Sequence, residues 1–224
     1  MMILGFDLSL NHAAMVGLDP ETADMVWYEY VIDTATGAKA GKKRGVHLKY
    51  PKSKDRTQHQ MNRLLWWRLY LIEMYEKAKP SHVVIEDYAL MAKSNSAYQI
   101  GELGCLARIG AIEVGAALRL HDPMSVKMFL AHSGNATPEE VRDAVFERWP
   151  ITRGFAALPD LATLDLVVAF GLARMGWTEL ELRAGRLRLE DLHPKEVQVF
   201  NRTTKAYTVS LLGREWLQRS YVSP

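Results

Sequence analysis

The apolar positions at the start of the chain fall in runs of strand length. Met2, Ile3, Leu4 and Phe6 form the first run, which stops at a single carboxylate, Asp7. Asn11 and His12 supply turn chemistry, residues 13–18 (AAMVGL) form a second run, and Asp19-Pro20-Glu21-Thr22 make another turn. Residues 25–32 (MVWYEYVI) are rich in aromatic and β-branched side chains and predict a third strand. Strands joined by turns this short pair antiparallel, so the domain opens on a three-strand meander.

Further on, the period changes. Met61, Leu65, Leu69 and Ile72 recur at helical spacing within residues 57–79, and Pro80 closes that helix. The adjacent Trp66 and Trp67 point to different sides, one into the core and one outward. Residues 81–85 (SHVVI) are continuously apolar and end on Glu86-Asp87, as in a central strand covered on both faces and parallel to the first. A second helix is predicted over residues 94–118, with Ile100, Leu103, Ala107, Ala111, Val114 and Leu118 on one face. Its Gly101, Gly104, Gly110 and Gly115 predict close approach to the sheet or to a partner helix. A short strand or connector follows at 119–123. A short helix at 125–131 carries Lys127. Thr137-Pro138-Glu139-Glu140 is a capping box opening a helix to about 149. The last major helix, 158–175, is apolar nearly all round except for Asp165. In the polar tail, residues 178–224, Val197, Val199, Tyr207, Val209 and Leu211 predict a small strand pair or a helix-strand cap.

Composition bounds the class. A chain of 224 residues with 48% hydrophobic content supports one domain of substantial core and an extension, divided here as 1–177 and 178–224. Mean hydropathy is near zero, at −0.13. No apolar stretch reaches membrane-span length and no signal-peptide pattern opens the chain, so a cytoplasmic protein is expected. Cys105 has no partner cysteine in the sequence and is expected to be a buried thiol. Net charge is only +2, but it is unevenly spread. An insertion at about 34–56 holds Lys42, Lys43, Arg44, Lys49, Lys52, Lys54 and Arg56 against the single acid Asp55. This is either a solvated loop or a basic arm for phosphates, with His47 and Tyr50 able to stack on bases.

Four carboxylates share one feature: Asp7, Glu86, Asp160 and Asp165 each end or interrupt an element that is otherwise core. Burying a lone carboxylate costs several kcal/mol unless a cation compensates it. Asp7 and Glu86 end two parallel strands, at the edge where the crevice of an open sheet forms. Asp165 arrives from a helix that must pack on that sheet. Acids brought together raise one another's pKa, and hard divalent cations relieve the conflict. Oxygen-only donors select Mg²⁺ or Mn²⁺, and a pair of such ions about 3.5–4 Å apart cleaves phosphodiesters. Singly, the acids have plainer readings, weakest for Asp165, to which an apolar helix offers no polar partner. A strand-end Asp caps a turn, only one of Glu86 and Asp87 can face the crevice, and Asp160 is open between helix cap and ligand. His12, His47, His59 and His132 show no metal-ligand spacing and read as solvated.

With these residues in view, the chain resembles the RuvC-type Holliday junction resolvases of the ribonuclease H-like superfamily. Ile3-Leu4-Gly5-Phe6-Asp7 with Gly17 is similar to that family's opening motif. Val84-Ile85-Glu86 followed by Met91-Ala92-Lys93-Ser94-Asn95-Ser96-Ala97 is similar to its second acidic motif, and Ser125-Val126-Lys127 to its lysine-bearing segment. The run from Asp165 to Ala173 is similar to the helix holding its last acid. The match spans about residues 1–176. Where the family carries an acid or histidine three residues before the last Asp, this chain has Ala162. The base-wedging aromatic of the family corresponds to Tyr88, with one extra residue before it. The long 34–56 segment and the tail resemble additions in diverged bacteriophage resolvases.

The resemblance implies a mixed α/β sheet flanked by helices and a homodimer cutting four-way DNA junctions by symmetric paired nicks. It implies two Mg²⁺ per site, replaceable by Mn²⁺, held by Asp7, Glu86, Asp165 and Asp160. Lys127 would steady the phosphate or the attacking water, while Lys93, Tyr88 and the basic arm would bind DNA. A phage-encoded member would act in the host cytoplasm. Two rivals stand beside this reading. Asp7-Leu8-Ser9 is similar to the phosphate loop of sugar kinases, but no second Gly-rich nucleotide loop follows. A non-catalytic junction- or RNA-binding protein of the same fold is the other.

Overall fold

Three apolar runs with turns between them do form a meander. β1 (Met2–Leu8), β2 (His12–Leu18) and β3 (Met25–Ile32) pair antiparallel in sequence order. The structure is a computed structural model and describes residues 1–9, 12–32, 46–87, 96–158, 160–203 and 208–219. A two-residue strand not anticipated from the sequence, β4 (Val46–His47), lies parallel to β3 at the sheet edge. Helix α1 (Arg56–Ala78) crosses over to β5 (Pro80–Glu86), which pairs parallel with β1. Helix α2 (Ser96–Glu113) leads to β6 (Ala117–His121), parallel with β5. The sheet order is β4-β3-β2-β1-β5-β6. This is the expected mixed sheet with helices on both faces.

The period of two along each strand sorts the core into two layers. Leu4, Phe6, Met15, Val83 and Ile85 pack with Trp67, Leu71 and Met74 of α1 and Leu103 and Ala107 of α2. Ile3, Val16 and Val84 face the other way, toward α3 (Pro123–Ala131), α4 (Pro138–Arg148) and α5 (Asp160–Arg183). Asp55 caps α1 by accepting from Gln58 N at 2.7 Å, and Thr137 with Glu140 forms the expected capping box on α4.

Several local expectations are corrected. The stripe Met61, Leu65 and Leu69 on α1 is exposed, while Trp67, Tyr70, Leu71, Met74, Tyr75 and Ala78 face inward. Both stripes have helical spacing, and the sheet takes the bulkier aromatic one. Trp67 is buried as foreseen for one of the pair, and Trp66 stacks on Tyr70 with centroids 4.9 Å apart. Helix α2 ends at Glu113, because Gly115 turns left-handed at φ +80° and Leu118 belongs to β6. Gly110 meets Tyr75 of α1, a close helix contact within the chain. Cys105 is exposed, not buried.

Helix α5 continues to Arg183, past the expected end at 175. Its extra turns bury Glu179, which accepts from Arg119 and Arg183. In the tail, no strand pair forms among the described residues. Residues Pro194–Asn201 form α6, and Leu217 makes one antiparallel bridge to Leu118. Val199 and Phe200 of α6, with Leu211 and Trp216, join the core layer that contains α5.

Candidate active site

Register places the polar residues of the α5 face in one row. Asp7 pairs with Ala14, Ala14 with Tyr30, and Glu86 with His121. Phe6 pairs with Ile85, so Asp7 and Glu86 are the next step along neighbouring parallel strands. β1, β3, β4, β5 and β6 all point their C-terminal ends at this edge, and β2 begins there with His12. Asp165 comes to the same edge on α5, which can approach because residue 5 is glycine. A Cβ on Gly5 would lie 1.9 Å from the Ala169 carbonyl oxygen and 2.5 Å from the Ala173 nitrogen. Backbone thus rests on backbone one helical turn beyond Asp165. There Asp165 Oδ2 lies 2.7 Å from His12 Nδ1, a close contact without hydrogen-bond alignment. Ser9 holds the same imidazole at 3.0 Å and donates to the His12 carbonyl at 2.6 Å, tying the end of β1 to the start of β2.

The electrostatics follow from that convergence. Burial, then the Glu86 and Asp165 charges, push the Asp7 carboxyl well above the usual carboxylate range. Glu86 is pushed up to about 7, chiefly by burial, with Asp122 and Asp165 adding to the rise and Lys127 of α3 opposing it. The Tyr30 phenol is raised as well, by burial first and then by Asp165 and Asp7. Carboxylates gathered this way attract a cation. The donors are oxygens without thiolate, the chemistry that hard divalent cations take. Asp165 Oδ2, which accepts no hydrogen bond among the described residues, also fits such a ligand. The spacing is looser than the chemistry: among the described residues, no three His, Cys, Asp or Glu are grouped closely enough to hold a metal ion.

Of the residues singled out in the sequence, Asp7, Glu86, Asp165 and Lys127 come together. Asp160 does not join them as closely. It is exposed in the first turn of α5 and is not among the charges that shift Asp7 or Glu86. Ala162, where an acid or histidine was sought, is buried in the core. Asp87 turns away to pair with Arg108 at 2.7 Å, leaving Glu86 to the crevice. Lys49, Lys52, Lys54 and Arg56 are exposed after β4. Lys42, Lys43, Arg44, Tyr88 and Lys93 lie outside the described residues. Tyr50 is not a free stacking platform: it is 8% exposed and accepts from Arg63 Nε at 3.2 Å.

Sequence reasoning missed His12, Ser9, Tyr30 and Asp122. The signal for His12 was the short β1–β2 turn, which carries its partner strand back alongside Asp7. Asp122 had a helix-cap signature before Pro123, and it caps α3 by accepting from Ser125 N at 2.9 Å.

No family model matches the sequence, and no curated protein matches it either. Solved structures do. The structure of T. thermophilus RuvC in complex with Holliday junction substrate shares 18% identity at a TM-score of 0.53, covering 83% of this chain and 96% of that one. A second Thermus thermophilus RuvC structure shares 21% identity at a TM-score of 0.52, covering 79% and 97%. The yeast mitochondrial Holliday junction resolvase Ydc2 has 12% identity and a TM-score of 0.49, covering 78% and 76%. A six-stranded mixed sheet with this helix order, matched over nearly the whole of RuvC, makes the fold of this chain that of the RuvC resolvases.

Proposed function

We propose that the chain is a Holliday junction resolvase, a structure-selective endonuclease that hydrolyses phosphodiesters in four-way DNA junctions by paired nicks. The observation that carries this reading is the convergence of Asp7, Glu86 and Asp165 at one sheet edge, on a fold shared with RuvC. Asp7, Glu86 and Asp165 would hold two Mg²⁺ ions, for which Mn²⁺ can substitute, with Asp160 as the fourth candidate. Bound cations of this kind supply the activated water and neutralise charge on the leaving oxygen. The chain's own groups do the rest. Lys127, close enough to Glu86 to lower its pKa, would steady the attacked phosphate or the attacking water. His12, 2.7 Å from Asp165, would hold that carboxylate in place. Lys49, Lys52, Lys54 and Arg56 leave β4 at the same edge and would follow the DNA backbone, as would Lys42, Lys43, Arg44 and Lys93, with Tyr88 against a base.

A homodimer would set two such sites against two strands of like polarity. The outer face of α2 offers exposed Tyr98, Cys105 and Ile109 for that contact. Sedimentation of the purified chain at micromolar concentration should report twice the monomer mass.

The deciding experiment incubates the chain with a synthetic four-way junction in Mg²⁺ or in chelator, beside Asp7→Asn. Symmetric nicks that require metal and vanish in the variant support a resolvase. The second reading, a non-catalytic junction- or RNA-binding protein, draws on the looseness of the carboxylate spacing. It predicts tight junction binding and no nicks in either Mg²⁺ or Mn²⁺. Asp160→Asn then separates a ligand from a helix cap, since a cap variant should cut at the wild-type rate.

A further inference from the structure

The row that ends at Glu86 continues one strand further, and the residue there has no role in the proposed cutting. His121 is only 4% exposed, and its Nε2 is buried with no hydrogen-bond partner among the described residues. It lines a small cleft of about 50 Å³ together with Asp122, Ser125, Arg202 and Arg214. The two arginines come from the segment beyond α5, the part of the chain that adds to the core after the sheet is complete. Arg202 is held at the mouth: its Nη1 lies 3.4 Å from Ser125 Oγ and 3.6 Å from Asp122. The acids of the cleft already have cations, since Asp122 faces Arg202 and Asp87 pairs with Arg108. Arg202 keeps 42% of its side chain in solvent, leaving donors of its planar fork to an incoming group.

A volume near 50 Å³ admits one tetrahedral anion and little more. Ser125 Oγ donates to Asp122 at 2.6 Å, so the groups left to an anion are the guanidinium donors and the imidazole nitrogen, which recognise phosphate oxygens. His121 pairs with Glu86 in register, so an anion here would lie immediately beside the proposed cutting site. We propose that this cleft is a phosphate subsite, built jointly by β6, α3 and the C-terminal segment, that grips a backbone phosphate of the strand running through the active site. It rests on the nuclease reading and assigns the C-terminal segment a part in holding the substrate strand.

The test measures junction binding in chelator across a salt series, for wild type, Arg202→Gln and the Arg202→Gln/Arg214→Gln double variant. Arg202 is partly exposed, so the single variant keeps the fold, and melting temperatures verify this for both. Losing one phosphate contact should lower the slope of log K against log salt by about 0.9 and weaken binding about tenfold near physiological salt. An unchanged slope in folded variants, beside a wild type that binds, overturns this proposal alone. A wild type that binds no DNA overturns the nuclease reading and the subsite with it. Inorganic phosphate supplies the remaining arm. If it raises the melting temperature of wild type but not of the double variant, while the salt slopes coincide, the cleft serves a free anion and the strand assignment fails.

Discussion

Asp7 occupies a place where a lone charge is hard to keep, inside the sheet and facing two other acids. Replacing it by Asn removes the repulsion without changing shape. In chelator at pH 8, Asp7→Asn should therefore melt a few degrees above wild type, the shift that about 1 kcal/mol produces in a chain of this size. Junction cutting in Mg²⁺ should fall by more than about 100-fold, beyond the loss usual for an outer partner of a metal ligand. Calorimetry and gel assays on one preparation read both effects. A variant that is stabilised and still cuts would remove Asp7 from the machinery. His12 makes the complementary case. It orients Asp165 from 2.7 Å, so His12→Ala should lose about 10- to 100-fold in rate with junction affinity unchanged. His12→Gln, which keeps a polar group beside Asp165, should recover part of that loss. The acids were legible in the sequence because a carboxylate interrupting an apolar run is conspicuous. His12 was not, because nothing in its neighbours along the chain distinguishes a turn histidine from one whose partner lies more than 150 residues away.

At the scale of elements, β5 and α5 carry the pH behaviour and the packing. Glu86 has its pKa raised from the ordinary carboxylate value to about 7. Below about pH 4.5 the carboxyl is protonated folded or unfolded, and its contribution is fully present. As pH rises toward 7 the unfolded chain releases the proton first, so stability falls through this window, by an amount on the order of 3 kcal/mol. Urea titrations in chelator between pH 5 and 8 should show the decline, and Glu86→Gln should lessen it, with Asp7, also raised, carrying the remainder. The contact between β1 and α5 fails differently. Gly5→Ala drives a methyl group into the Ala169 carbonyl, and overpacking of this kind costs about 1–3 kcal/mol or more. A variant melting like wild type would mean that α5 sits further from β1. The helix pattern was legible here, yet the inward face of α1 was not. Met61, Leu65 and Leu69 match helical spacing as well as the aromatic stripe that is buried, and only the shape of the sheet chooses between them.

Over the whole molecule, the sheet order follows from rules the sequence obeys: short turns for the meander and helical crossovers for the parallel strands. That is why the architecture could be read in advance. The C-terminal segment could not. It joins the core through Val199, Phe200, Leu211 and Trp216, which are scattered among polar residues and are recruited only once α5 and β6 exist to receive them. A prediction belongs to this assembly. Trp216→Ala removes a side chain that stacks edge-on against His82 and lies beneath Arg119, and it should destabilise the chain by about 3 kcal/mol. Denaturation followed by tryptophan-independent circular dichroism checks it.

The row running from Tyr30 through Asp7 and Glu86 to His121 makes the site a matter of parity. Side chains alternate along β1, so one residue inserted between Gly5 and Asp7 would turn the carboxylate toward Trp67 and Leu71 and silence the site without removing a single acid. A two-residue insertion keeps the facing and moves Asp7 only outward along the strand. A pair of such insertions, scored by junction cutting, would distinguish a site that depends on which face of the sheet an acid occupies from one that depends only on how many acids are near.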